Sequence, residues 1–134
     1  MSAIDDRQLV EAALEGSENA YIPYSDYRVG AALLTASGRV FTGCNVENAG
    51  YSPTICAERT AMVKAISEGH LQFAAIAVVS RGAGSPCGVC RQFMFEFAPG
   101  LKIILADLDG QVSLTTTLAE LLPHGFGPAN LDAG

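Results

Sequence analysis

The sequence lacks the features that mark several specialised classes of protein. No internal repeat, linker or low-complexity tract divides its 134 residues, so we expect one domain over residues 1–134, large enough to bury a core. No apolar run approaches the roughly 20 residues that a membrane span requires. The first ten residues, MSAIDDRQLV, carry acidic groups where a secretory signal would have a basic start and an apolar block. The chain is therefore expected to be cytoplasmic and not to bind membranes.

Basic residues are scarce as well. The chain has 8 lysines and arginines against 14 acidic residues, which gives a net charge of −6 at pH 7. No cluster of basic residues stands out, and an acidic protein repels the phosphate backbone of nucleic acids. We therefore expect no nucleic-acid partner, and a small substrate that is uncharged or polar.

Cysteine is the third scarce residue, and its placement is informative. Three of the four cysteines lie in two similar stretches, SPTICAERTA (52–61) and SPCGVCRQF (85–93). In each stretch Ser-Pro precedes a cysteine, and apolar residues follow at helical spacing. In a reducing compartment such clustered cysteines are more often metal ligands or catalytic thiols than disulfides.

The apolar pattern and the turn residues predict an alternation of helices and strands. Two near-continuous apolar runs, FAAIAVVS (73–80) and LKIILAD (101–107), are typical of strands covered on both faces. A helix between them implies a parallel crossover, so we expect an α/β fold: a mixed five-stranded sheet with helices on both faces, an α/β/α sandwich. The predicted helices cover 5–20, 53–68, 86–97 and 117–122, and the other strands cover 28–35, 39–45 and 111–115.

Serine and proline predict where the two cysteine-bearing helices begin. Ser52 and Ser85 can accept hydrogen bonds from free backbone N–H groups as N-caps. Pro53 and Pro86 suit the first helical position because proline has no N–H to leave unpaired. The cysteines of both stretches would then lie near the positively polarised ends of two helices, which favour thiolate over thiol.

The cysteine spacing predicts a metal site. Cys87 and Cys90 form a C-x-x-C motif, the usual spacing for two thiolates that bind one zinc ion, although redox disulfides share it. Cys56, at the start of the other helix, would supply a third thiolate. No fourth cysteine or histidine lies at ligand spacing, so one coordination position would stay open, as in catalytic zinc sites. The predicted cofactor is one Zn²⁺ per chain.

Two charged residues follow Cys56 directly. Glu58, two positions further along the helix, points away from the direction of Cys56 and is poorly placed as a ligand. It could instead reach the open coordination position and transfer a proton there. Zinc with three thiolates carries a net charge of −1, and Arg59 and Arg91 are the candidates to offset it. We hypothesise that Arg59 donates hydrogen bonds to the thiolates.

Other interpretations of these residues stay open. Cysteines are common as small buried core residues, and Glu58 alone would most often be a solvated helix carboxylate. The metal could stabilise a non-catalytic binding module, although such a site would usually have a fourth ligand. A thiol oxidoreductase using Cys87 and Cys90 would leave Cys56 and Glu58 unexplained.

The pattern C-A-E at the start of one helix and P-C-x-x-C at the start of the next resembles the zinc-dependent nucleoside and nucleobase deaminases. The segments YIPYSDYRVGAALLT, TGCNVENAGYSPTICAERTA, SPCGVCRQ and LLPHGFGP resemble cytidine deaminases more specifically. Together with the order of elements they span residues from about 5 to 128, nearly the whole chain.

The resemblance implies a reaction and its catalytic residues. Cytidine and deoxycytidine would be deaminated hydrolytically to uridine and deoxyuridine with release of ammonia, in pyrimidine salvage. Cys56, Cys87 and Cys90 match the zinc ligands. Glu58 matches the residue that shuttles protons between a zinc-bound hydroxide, N3 and the leaving amino group.

The resemblance also implies where the substrate binds. Asn45 and Glu47 match residues that hydrogen-bond the ribose hydroxyls, and the backbone at Ala57 and Cys87 matches groups that contact the pyrimidine edge. Tyr27 departs from the family, which usually has phenylalanine there. The extra hydroxyl in the pocket wall could alter the preference for substituted bases.

A shared active site follows from the same resemblance. Ala49, Tyr51 and Phe126 match residues that reach the site of a neighbouring subunit. A cysteine as the first zinc ligand in a chain this short resembles the homotetrameric branch of the family rather than the dimeric branch. The alternative substrate is a related aminated nucleoside, such as a blasticidin-type antibiotic, but Glu47 favours an ordinary ribose. Polynucleotide editing is disfavoured by the acidic charge.

Overall fold

The computed structural model describes residues 4–132 of the chain. It forms a five-stranded sheet with helices on both faces. Among the described residues, no helix combines the length and the apolar character needed to cross a membrane. In chain order the elements are α1 (Asp6–Ser17), β1 (Val29–Thr35), β2 (Val40–Cys44), α2 (Ala57–Ser67), β3 (Phe73–Ser80), α3 (Gly88–Phe97), β4 (Lys102–Ala106), β5 (Val112–Thr117), α4 (Leu118–Leu121) and α5 (Pro128–Asp132).

The sheet is mixed, as the apolar runs predict. The strand order is β2-β1-β3-β4-β5. Strands β3 and β4, which α3 connects, pair in parallel, whereas the other neighbours pair antiparallel. A helix between two buried strands therefore makes the expected crossover, and the predicted fold class is confirmed. That residues 1–134 make up a single domain stays a prediction.

The two faces of the sheet bury two separate apolar clusters. Helix α1 covers one face through Leu9, Val10 and Ala13, which are almost fully buried. Helices α2 and α3 cover the other face. Side chains of β1 alternate between the two clusters, because successive residues of a strand point to opposite faces. Ala32 packs on the side of α1, and Leu33 packs on the side of α2.

The two cysteine-bearing helices begin later than Ser52 and Ser85 predict. Helix α2 starts at Ala57 and α3 at Gly88, so the predicted serine caps at residues 52 and 85 are wrong. Ile55 and Val46 exchange two backbone hydrogen bonds of 2.9 Å as an isolated antiparallel bridge. This bridge keeps the backbone at residue 55 extended, so the helix cannot begin before it.

Smaller differences occur at other element ends. The first helix ends at Ser17 rather than near residue 20, and β5 runs to Thr117 rather than residue 115. Thr117 then caps α4 by accepting a hydrogen bond from the backbone N–H of Glu120. The short helix α5 was not predicted, although Pro128 at its first position is a typical helix-start residue.

Glycine lets helix α2 lie directly against the sheet. A Cβ atom placed on Gly43 of β2 would lie 2.5 Å from the carbonyl oxygen of Ala57 and 2.6 Å from the backbone nitrogen of Ala61. Both atoms belong to the helix backbone, which cannot turn aside as a side chain can. The close approach of α2 to the sheet therefore depends on glycine at residue 43, which has no Cβ atom. The position of Cys56, which precedes α2, depends on the same contact.

We expect Gly43→Ala to lower the free energy of unfolding by about 1–3 kcal/mol, because the methyl group overpacks the contact between β2 and α2. Urea unfolding at fixed protein and zinc concentrations measures this effect. Gly100→Ala is the matched control, because a Cβ atom there meets nothing within 4 Å. Equal unfolding midpoints for wild type and Gly43→Ala would show that the contact is not tight.

Candidate metal centre and active site

Three thiol groups converge where α2 and α3 begin. The sulfur atoms of Cys56, Cys87 and Cys90 all lie within 4.8 Å of one another. The sulfurs of Cys56 and Cys87 are 3.7 Å apart. The structure thus brings together the three predicted ligands, which are 31 and 3 positions apart along the chain.

Helix geometry explains how the thiols meet. Cys56 is the N-cap of α2 and Cys87 is the N-cap of α3, and both have extended backbone angles. Neither thiol caps its own helix by a hydrogen bond, so both sulfurs stay free for another partner. Cys90 lies in the first turn of α3 and is fully buried. Its sulfur therefore forms the inner side of the cluster.

The donor set fits zinc. Tetrahedral zinc–thiolate bonds of about 2.3 Å place two sulfurs about 3.8 Å apart, which is close to the observed Cys56–Cys87 separation. Within residues 4–132, these cysteines are the only group of three side chains placed to hold a metal ion. Three thiolates leave one tetrahedral position for another ligand, as in catalytic zinc centres.

The two candidate arginines have different partners. Arg59 donates from Nη2 to the sulfur of Cys56 over 3.6 Å and to the carbonyl of Thr54 over 3.3 Å. Arg91 instead donates to the backbone carbonyls of Pro86 and Leu121, at 2.7 Å each. Arg59 is thus the arginine in contact with a thiol, whereas Arg91 holds the backbone just before α3.

The thiols polarise one another. The pKa of Cys56 is lowered to about 5, chiefly by a hydrogen bond from Cys90 and further by Arg59 and Cys87, against the opposing effect of burial. The pKa of Cys90 is raised, because its proton bonds Cys56 and because the thiol is buried. Before a metal binds, the hydrogen bond between Cys56 and Cys90 thus favours a state in which the two thiols share one proton and one negative charge. Metal binding must displace that proton.

Glu58 is a buried carboxyl group beside this cluster. Only 4% of its surface is exposed. The pKa of Glu58 is raised to about 7, chiefly by burial and also by the charge of Cys56, while its own backbone N–H and Arg59 act in the opposite direction. A carboxyl group with a pKa near neutral can both accept and donate a proton at physiological pH. The solvated helix carboxylate, the alternative for Glu58, does not fit this burial.

A cleft of about 310 Å³ opens onto the cluster. Cys56, Cys87 and Glu58 line the cleft, whereas the buried Cys90 does not. The open coordination position of a bound metal would thus face the cleft, next to the Glu58 carboxyl group. The volume suits a small molecule rather than a polymer.

Asn45 and Glu47 lie in the wall of the same cleft. The Asn45 amide bridges the chain before β1: its oxygen accepts from the N–H of Val29 at 3.1 Å and its nitrogen donates to the carbonyl of Tyr27 at 2.8 Å. One oxygen of Glu47 accepts from the N–H groups of Tyr24 and Ser25. Each side chain keeps hydrogen-bonding capacity beyond these bonds, so both are held in place and can still bind a ligand.

The other predicted substrate residues fall into two groups. Tyr27 and Ala57 line the cleft. Ala49, Tyr51 and Phe126 do not line it, and the last two are 75% and 57% exposed. Within one chain the structure therefore does not bring these three residues to the metal centre.

Some polar residues of the cleft wall were not predicted as site residues from the sequence, and two of them have informative contacts. Ser25 and Ser80 both line the cleft. Ser25 donates its hydroxyl to Glu47, and this bond lowers the pKa of that carboxyl group. Ser80 is the polar end of an otherwise apolar strand, and this break in the pattern was the available indication.

The fold and the site together define a class of protein. A three-thiolate zinc centre with an open position, a buried carboxyl group beside it and a small-molecule cleft are the features of a zinc-dependent hydrolytic enzyme. The family model for the "cytidine and deoxycytidylate deaminase zinc-binding region" matches residues 3–106. The chain belongs to this family of zinc-dependent deaminases.

Individual relatives agree with this assignment. The chain is 46% identical to a cytidine deaminase of Sporosarcina psychrophila, over 96% of each chain. It is 47% identical to the cytidine deaminase of Halalkalibacterium halodurans, over 92% of this chain and 95% of the relative. The crystal structure of a cytidine deaminase from Burkholderia pseudomallei superimposes with a TM-score of 0.87 at 48% identity, covering 92% of this chain and 100% of the other.

We expect Arg59→Gln to weaken zinc binding roughly tenfold, because a residue that hydrogen-bonds a metal ligand typically contributes at least that much to affinity. Competition with a coloured chelator measures the zinc affinity. Arg7→Gln is the control, since that side chain is 89% exposed and distant in sequence from all three cysteines. Unchanged affinity in Arg59→Gln would refute the proposed support of Cys56.

Proposed function

We propose that this protein catalyses the hydrolytic deamination of cytidine and deoxycytidine to uridine and deoxyuridine, with release of ammonia. The observation that supports this most strongly is the buried Glu58 carboxyl group beside a three-thiolate centre that opens into a nucleoside-sized cleft. The relatives named above carry the name of this activity. The role would be pyrimidine salvage in the cytoplasm.

Glu58 is the proton carrier in this proposal. A zinc ion held by Cys56, Cys87 and Cys90 supplies a Lewis acid that increases the acidity of a water molecule. The carboxylate of Glu58 takes a proton from the attacking water and donates it to N3 of the base as the new C4–O bond forms. The same carboxyl group then delivers the second proton of that water to the amino group, and ammonia leaves as the C4–N bond breaks. A pKa near 7 suits both directions of transfer.

The cleft wall supplies the binding groups. We propose that Asn45 and Glu47 hydrogen-bond the ribose hydroxyls through the capacity that their internal bonds leave free. The lowered pKa of Glu47, caused chiefly by Ser25, keeps that group an acceptor for hydroxyl protons. The backbone at Ala57 and Cys87, beside the free N–H groups of two helix starts, is suited to the polar edge of the pyrimidine.

We expect Glu58→Gln to lower the turnover of cytidine by about 100-fold or more while zinc stays bound, because the amide cannot carry a proton. Uridine formation is followed by ultraviolet absorbance, and the zinc content of each preparation is measured by elemental analysis. Glu96→Gln is the matched control, because Glu96 is exposed on α3 and makes no hydrogen bond or ion pair in the described structure.

The outcomes separate the competing functions. Loss of turnover with zinc retained would support the proposed role of Glu58. A wild-type protein that binds zinc but converts neither cytidine nor deoxycytidine would contradict the proposed substrate. A panel of other aminated nucleosides, including a blasticidin-type antibiotic, would then distinguish a related deaminase from a binding module.

We also propose that the enzyme is a homotetramer whose active sites are shared between subunits. Tyr51 and Phe126 are large apolar side chains that are mostly exposed in one chain. Tyr51 lies in a surface depression beside Glu47, which joins it to the ribose end of the cleft. A neighbouring subunit that covers these residues would bury them and exclude water from the cleft.

We expect sedimentation analysis to give a mass four times that of the chain. Shared sites predict that Phe126→Ala and Glu58→Gln are each poorly active alone. Co-expression of the two variants would then give mixed tetramers in which some sites carry neither substitution, and activity would exceed that of both parents. A fully active monomer, or no gain in the mixture, would contradict sharing.

A further inference from the structure

A pair of hydroxyl groups in the cleft wall has no part in the proposed mechanism. The hydroxyl of Tyr27 lies 3.0 Å from Oγ of Ser80, and both residues line the cleft. We refer to these two groups as the hydroxyl pair. Ser80 is only 3% exposed, and its neighbours in the wall, Val29 and Val78, are apolar. The pair is therefore a polar spot in an otherwise apolar part of the cleft.

The hydroxyl pair has one proton more than its hydrogen bonds within the protein use. Oγ of Ser80 also accepts a hydrogen bond of 3.0 Å from the backbone N–H of Gly84. Two hydroxyls carry two protons, and their mutual bond uses one of them. Among residues 4–132, no group accepts a hydrogen bond from the other proton. This holds whichever hydroxyl donates to the other, so the acceptor must come from the contents of the cleft.

The surroundings keep the hydroxyl pair from turning away. The guanidinium carbon of Arg81 lies 5.1 Å from the centre of the Tyr27 ring, where it covers that ring as a cation–π partner. The following loop passes close to the Tyr27 hydroxyl: a Cβ atom on Gly82 or Gly84 would lie 3.8 or 3.7 Å from it. Because this donor is held in place, it favours a ligand that carries a hydrogen-bond acceptor at the matching position.

The proposed function leaves one edge of the base for this donor. It assigns proton transfer at the reacting centre to Glu58 and the ribose to Asn45 and Glu47. It assigns the polar edge of the pyrimidine to the backbone at Ala57 and Cys87. The remaining edge carries C5 and C6. The lining residues that still have no assigned contact include the hydroxyl pair.

We propose that the hydroxyl pair is a specificity determinant that donates its free proton to an acceptor atom on a C5 substituent of the bound nucleoside. The enzyme then favours cytidines with an oxygen-bearing C5 substituent over those with a methyl group, because a methyl group would leave a buried donor unpaired. This inference rests on the proposed function.

The test compares 5-hydroxymethylcytidine with 5-methylcytidine, which differ by one hydroxyl oxygen. In the wild type we expect kcat/KM to favour the hydroxymethyl compound roughly tenfold. The double variant Tyr27→Phe/Ser80→Ala, which has neither hydroxyl, should bring the ratio towards one. Each single variant keeps one hydroxyl proton and should lower the ratio less. If either compound is turned over too slowly, the same ratio is taken from their inhibition constants against cytidine.

Matched controls and a third substrate separate the outcomes. Tyr21→Phe and Ser67→Ala remove hydroxyls outside the cleft and should leave the ratio unchanged. Cytidine turnover with a ratio in the double variant that stays within about twofold of the wild-type ratio would overturn this inference alone, since a water molecule would then take the proton in the wild type. No turnover of cytidine by the wild type would overturn the proposed function, and this inference with it.

Discussion

The meeting of two helix starts is the constraint on which the rest of the site depends. Each helix end directs unpaired N–H groups and partial positive charge towards the same place. Negative charge is favoured at this place, and the thiolates of a metal-bound site supply it. Because Cys56 and Cys87 are N-caps whose sulfurs do not cap their own helices, this structural position orients both sulfurs towards one metal site. The buried carboxyl group of Glu58 then lies one residue inside the same helix start, where burial keeps it ready to exchange protons.

The sheet explains why these two starts meet. Strands β3 and β4 are adjacent and parallel, and α2 and α3 cover the same face. The contact at Gly43 removes the space that would otherwise separate α2 from β2. Packing over the whole face thus determines a separation of a few ångströms between sulfurs that belong to different helices.

Local patterns in the sequence were sufficient for part of this structure. The strand at 73–80 was predicted with its observed bounds, because a continuous apolar run needs no information from elsewhere in the chain. The cysteine cluster followed from ligand spacing and helix position. The start of α2 could not be predicted in this way, because the bridge between Val46 and Ile55 overrides the local preference of Ser52 and Pro53. Likewise, the role of Ser80 depends on Tyr27, which is 53 positions away along the chain.

The bridge between Val46 and Ile55 also limits how far changes in the neighbouring loop can affect the position of Cys56. It closes residues 47–54 into a loop whose ends are joined by backbone hydrogen bonds. Changes in length at the exposed tip, around residues 49–52, are therefore confined by the bridge and leave Cys56 in place. The exposed loop can therefore change without displacing the metal ligand that follows the bridge.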